Sequence, residues 1–112
     1  MKYFKIEEFN CKCCGKNEMD ANFLAMLDFA RALACVPFFI TSGYRCEKHN
    51  KEVGSTSKNH PSGKAADISC PEGHMRFIIV KALIDAGFRR IGIRKDFIHV
   101  DSTDQTSSIW LY

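Results

Sequence analysis

Two short apolar runs of this chain each carry an ionisable residue where a plain core strand would carry none. They are Asp67 in Ala65-Ala66-Asp67-Ile68-Ser69 and His99 in Phe97-Ile98-His99-Val100-Asp101. A carboxylate or imidazole inside apolar surroundings is costly unless it is hydrogen-bonded, paired or bound to metal. Any fold of this chain must therefore bring each of the two a partner. His60 stands just upstream, in a stretch rich in Gly and Ser. Taken singly, the three have ordinary readings: His60 as a loop residue at the surface, Asp67 as a carboxylate bonded to backbone, His99 as a satisfied sheet histidine. Together they supply three neutral or anionic ligands and leave one position free for water, as a catalytic zinc requires.

The rest of the pattern divides into short elements. Asp20 or Asn22 can cap a helix running to about Ala34, because Phe23, Leu24, Leu27, Ala30, Leu33 and Ala34 recur at helical spacing before Pro37. Phe38-Phe39-Ile40-Thr41 is a β-favouring run that delivers Ser42-Gly43-Tyr44-Arg45 to its far end. From Cys46 to Lys64 the polar composition predicts a long irregular loop, and such loops in small domains are usually functional or disordered. A strand over Ala65 to Ser69 is followed by a helix over about His74 to Ala86, with Ile78, Ile79, Ala82 and Leu83 inward and Gly87 at its end. Arg90-Ile91-Gly92-Ile93 and Phe97 to Asp101 read as a hairpin around Arg94-Lys95-Asp96, and Ile109 to Tyr112 as an edge strand.

Composition narrows the class. A chain of 112 residues fits one domain, spanning 1–112, and 46% hydrophobic content with nine Phe is enough for a single core. The net charge of +3 is scattered rather than gathered in one run, so a nucleic-acid partner has little support. The first nine residues alternate polar and apolar, without a signal-peptide core, and no later segment is long enough to span a membrane. The expectation is synthesis in the cytoplasm without a signal peptide. Six Cys (Cys11, Cys13, Cys14, Cys35, Cys46 and Cys70) are expected as reduced thiols, since disulfide scaffolds belong to short secreted chains with poor cores. His49 and His74 read as surface residues.

Four stretches carry a family likeness: Ser42-Gly43-Tyr44-Arg45 with Asn50, Val53 and Gly54 after it; His60-Pro61-Ser62-Gly63-Lys64-Ala65-Ala66-Asp67-Ile68; Gly87-Phe88-Arg89-Arg90-Ile91-Gly92-Ile93; and Phe97-Ile98-His99-Val100-Asp101. With the opening Phe4 to Cys14 segment they cover nearly the whole chain, and they resemble the zinc D-alanyl-D-alanine carboxypeptidase family of peptidoglycan peptidases, in its compact phage and prophage forms. The resemblance implies an α+β fold, with two helices packed on a small antiparallel sheet, similar to the Hedgehog signalling domain and the D-Ala-D-Ala peptidases. It implies Zn2+ held by His60, Asp67 and His99.

The general base it implies is Asp96, three residues before the last ligand. In a regular strand, positions 96 and 99 face opposite sides, so Asp96 must lie in the turn before the strand. Asp101 shares a face with His99 and is the rival, or else a group that orients a ligand His. Arg45 matches the residue that contacts substrate and steadies the oxyanion.

The implied activity is hydrolysis of a peptidoglycan stem-peptide or cross-link amide, as D,D-carboxypeptidase or as endolysin-like endopeptidase. The expected protein is a monomer acting at the cell wall after release by a holin-type route. The alternative is a non-catalytic, zinc-stabilised structural or binding domain of the same fold. Two departures concern the loop: Lys58 stands where a Ser often does, and Ser55 where a second Gly is common. Cys11, Cys13 and Cys14 resemble a Cys-rich stretch of many compact relatives. Their C-x-C-C spacing is not the paired spacing of a standard zinc site, so packing or an occasional disulfide is the expected role.

Overall fold

The computed structural model describes residues 1–55, 57–104 and 106–112; Thr56, inside the polar loop, lies outside the described residues. After a 3-10 turn at Ile6–Phe9 come α1 (Ala21–Ala34), β1 (Ile40–Ser42), α2 (Glu47–Glu52), β2 (Ala65–Ser69), α3 (Gly73–Asp85), β3 (Arg90–Ile93), β4 (Phe97–Asp101) and β5 (Ser108–Leu111). The architecture is α+β, as expected.

Helix α1 starts where the Asp20 carboxylate accepts the Phe23 amide at 2.9 Å, which satisfies one of the free donors at a helix start. It buries Phe23, Leu24, Leu27 and Ala30. Leu33, one of the residues recurring at helical spacing, is instead 45% exposed in the last turn, after which Cys35 turns the chain in a left-handed conformation. Helix α3 is capped by Glu72, whose carboxylate takes the amides of His74 and Met75, and it buries Ile79, Ala82 and Leu83. These two helices pack on each other and on the sheet face formed by Ala66, Ile68, Ile91, Ile98 and Val100.

The strands lie in the order β1-β2-β4-β3-β5. Pairs β1–β2, β2–β4 and β3–β4 are antiparallel, whereas β5 runs parallel to β3, which departs from the all-antiparallel expectation. The reason is local. β4 ends beside Arg90 at Asp101, and β5 begins beside the same Arg90 at Ser108, so the connection hops over the end of β3 and needs no long crossover.

The polar stretch from Cys46 is also not wholly irregular. Its first residues form α2, whose start is capped by the Cys46 sulfur accepting the His49 amide at 3.4 Å. His49 is half-buried and 3.8 Å from Glu52 rather than fully exposed, while His74 is exposed. Among the described residues no helix is long and apolar enough to cross a membrane.

Candidate metal centre

Successive residues of a strand point to opposite faces. With Ala66, Ile68, Ile98 and Val100 committed to the helices, Asp67, His99 and Asp101 must face the other way. Register then makes the centre, because Asp67 is the direct cross-strand partner of His99. The Asp67 Oδ1 to His99 Nδ1 distance is 3.0 Å. His60 enters from the loop before β2 and puts Nε2 at 3.4 Å from the same carboxylate oxygen. The His60 and His99 rings meet edge to face, 5.3 Å apart.

That loop is held by Gly63, at φ 76°, where a side chain would collide with the Glu18 carbonyl. The Asp20 amide closes the contact on the Gly63 carbonyl at 2.8 Å.

The ligating atoms of His60, Asp67 and His99 all lie within 4.8 Å of one another. Bonds of about 2.0–2.2 Å from zinc to nitrogen and carboxylate oxygen set donors about 3.3 Å apart in a tetrahedron, so this set fits the ion. The outward-facing nitrogens agree. His60 Nδ1 lies 2.8 Å from the Gly43 carbonyl, which can only accept, so Nδ1 carries the proton and Nε2 keeps its lone pair for metal. His99 Nε2 lies 2.7 Å from Asp101 Oδ2, which leaves Nδ1 as the metal-facing atom.

Asp101, fully buried, is thus a buttress of His99. It also accepts from Arg90 Nε at 2.7 Å, Thr103 Oγ1 at 2.8 Å and Asn59 Nδ2 at 3.1 Å. Burial alone would raise its pKa, but the bonds from His99, Thr103 and Arg90 bring it down to about 2. Burial likewise opposes ionisation of Asp67, and the two histidines overcome it, holding the carboxyl well below its usual range. Burial lowers the pKa of His99, yet its bonds to Asp101 and Asp67 outweigh this and raise it.

Arg45 sits half-buried close to Asp67 and Tyr112, and its Nε is buried with no hydrogen-bond partner among the described residues. A buried donor left open beside the three ligands suits an incoming carbonyl or carboxylate oxygen. Asp96 lies in the turn before β4, as the general-base expectation requires. Its side chain is 61% exposed and 3.6 Å from Arg94, and among the described residues no hydrogen bond or ion pair joins its side chain to His60, Asp67 or His99.

The sequence pattern did not reveal the aromatic wall. Trp110 lies 5.7 Å from the His99 ring, with Arg90 stacked over it at 4.9 Å and Tyr112 and Phe97 alongside. It reaches His99 because Gly92, between them in the sheet, has no side chain: a Cβ there would come within 2.6 Å of the indole. The alternation of Trp110 and Tyr112 at the end of the chain was the available signal.

The fold and the site together define a candidate metal centre of two histidines and one aspartate, set on the sheet face opposite the helices, with both histidines buried. The Peptidase M15 family model matches residues 2–101, and the chain belongs to that family, whose members are typically metal-dependent peptidases. β5, with Trp110, lies beyond the matched span. No curated protein matches the chain.

Proposed function

We propose that this chain is a zinc-dependent peptidase that hydrolyses an amide bond of peptidoglycan stem peptides or cross-links. The observation that carries the reading is the donor set, in which three ligand atoms lie within 4.8 Å and each histidine is anchored through its other nitrogen. Such anchoring fixes tautomer and ring orientation, as a metal ligand needs.

When bound, zinc supplies a Lewis acid that polarises the scissile carbonyl and makes water a better nucleophile. His60, Asp67 and His99 hold it. Arg45 offers its unpartnered Nε to the oxygen on which negative charge develops. Asp96 accepts the proton of the attacking water and returns it to the leaving amine. To do so its carboxylate leaves Arg94, which an exposed side chain in a turn does at little cost. Asp101 is unsuited to that task, since all its bonds are committed to His99, Arg90, Thr103 and Asn59. Trp110 and Tyr112 form an apolar wall against which a peptide can lie.

In this reading the substrate is a peptide containing a D-amino acid at the scissile bond, acted on at the cell wall after release from the cytoplasm by a holin-type route. The rival is a non-catalytic, zinc-stabilised domain of the same fold. It draws on the exposed position of Asp96 and its pairing with Arg94.

Digestion of purified peptidoglycan by the zinc-loaded chain and by Asp96→Ala, with released fragments identified by mass spectrometry, separates the two. We expect D-Ala or opened cross-links from the first and almost none from the equally zinc-loaded second. A folded, zinc-loaded chain that cuts nothing across several wall chemistries would establish the rival.

A further inference from the structure

Three cysteines of the opening segment meet a fourth from a distant part of the chain. Cys11, Cys13 and Cys14 occupy a tight turn, closed by the Cys11 amide on the Lys16 carbonyl at 2.7 Å and the Gly15 amide on the Cys11 carbonyl at 2.8 Å. Cys46, at the start of α2, completes the group, and the four sulfurs lie within 4.8 Å of one another. The Cys13 to Cys46 separation is 3.5 Å and the Cys11 to Cys46 separation 3.7 Å. The clustering is selective: Cys35, exposed after α1, and Cys70, buried after β2, take no part in it.

We propose that Cys11, Cys13, Cys14 and Cys46 bind one zinc ion as a structural centre, separate from the centre of His60, Asp67 and His99. Zinc–sulfur bonds of about 2.3 Å in a tetrahedron place sulfurs about 3.8 Å apart, close to the spacing already present, whereas disulfide-bonded sulfurs sit about 2.05 Å apart. All four thiols are free.

Backbone donors surround the sulfurs as they do in thiolate metal sites. The Cys46 amide points to Cys11 Sγ at 3.4 Å and the His49 amide to Cys46 Sγ at 3.4 Å. Binding releases the thiol protons to solvent and changes no oxidation state. Four thiolates and one Zn2+ leave a double negative charge. Lys12, Lys16, Arg45 and Lys48 flank the four positions in sequence, and Arg45 is near enough to Cys11 for their charges to interact. Four protein ligands leave no open position, so the centre supplies structure and no chemistry of its own.

Its placement says what it holds. Cys46 directly follows Arg45, and the Tyr44 amide is bound to the Phe9 carbonyl at 2.9 Å, while the Gly43 carbonyl anchors His60. The ion therefore staples the N-terminal segment to the stretch that carries Arg45 and orients His60.

The test is metal counting and cobalt spectroscopy on the full chain purified under reducing conditions. Wild type should hold two zinc ions, and His60→Ala/His99→Ala one. Reconstituted with Co2+, that double variant should show sulfur-to-cobalt charge-transfer absorption and strong tetrahedral d–d bands, both lost on adding Cys13→Ser/Cys14→Ser. Without metal the exposed Cys13 and Cys14 should alkylate readily, and zinc should protect them. A folded His60→Ala/His99→Ala chain with intact cysteines that holds no zinc and stays colourless with cobalt would overturn the proposal. So would cysteines that alkylate equally fast with and without zinc. Both of these readouts use the intact cysteine set, so neither depends on a Cys variant reaching the folded state.

Discussion

At the scale of single residues, the candidate centre would depend on what stands behind its three donors. His99 is ringed by two carboxylates, Asp67 on Nδ1 at 3.0 Å and Asp101 on Nε2 at 2.7 Å, and only the first belongs to the ligand set. Asp101→Asn keeps the shape of the buttress and removes its charge. It should weaken zinc binding by about 10- to 100-fold, the usual effect of losing an outer partner of a ligand His, as read by chelator competition. Unchanged affinity would mean that His99 is oriented by packing alone. The substitution also leaves Arg90 without its buried counter-charge, so it should cost stability as well.

At the scale of elements, β5 is held against the site by a missing side chain. Gly92→Ala drives a methyl group into the Trp110 indole and should cost about 1–3 kcal/mol in denaturant unfolding, as overpacking does. The chain has a single Trp, so a change in its fluorescence would show that the indole has left His99. Full stability with unaltered fluorescence would argue against this packing.

The elements also differ in how far the sequence foretold them. α1 and α3 were legible because an apolar stripe at helical spacing has one good solution, with Asp20 marking the start of the first and Gly87 the end of the second; the Glu72 cap of α3 was seen only in the structure. The meeting of Asp67 with His99 was legible because each stands in an apolar strand and needs a partner. α2 was hidden, being six polar residues capped by a sulfur, and the direction of β5 was hidden because alternation along a strand carries no sign of parallel or antiparallel pairing. The meeting of Cys46 with the N-terminal cysteines lies beyond any local pattern. Spacing within Cys11 to Cys14 gives no paired ligand pattern, because the fourth sulfur of the cluster comes from another element.

For the whole molecule, a metal bound at the candidate centre would compete with a proton for one histidine. Without zinc the raised pKa of His99 means that its protonated form is favoured in the folded state. That contribution is fully present below the ordinary value of 6.5 and is lost as pH rises through the folded value. Zinc requires the same nitrogen without its proton, so its stabilisation should grow over the same rise in pH. Thermal unfolding across that range should therefore show a gap between zinc-loaded and chelated protein that widens with pH. A pH-independent gap would separate His99 from metal binding.

The register of β2 against β4 has a consequence for how the chain matures. Sliding one strand by a single residue would turn its candidate ligand toward the helices and bring an apolar neighbour, Ile98 or Ile68, to the face that carries the site. Such a misfolded chain could still collapse, but it would present no complete donor set. On the proposed reading, metal added during refolding would be held at this centre only by the native pairing, so that the ion would act as an inspector of strand alignment before it had any other task.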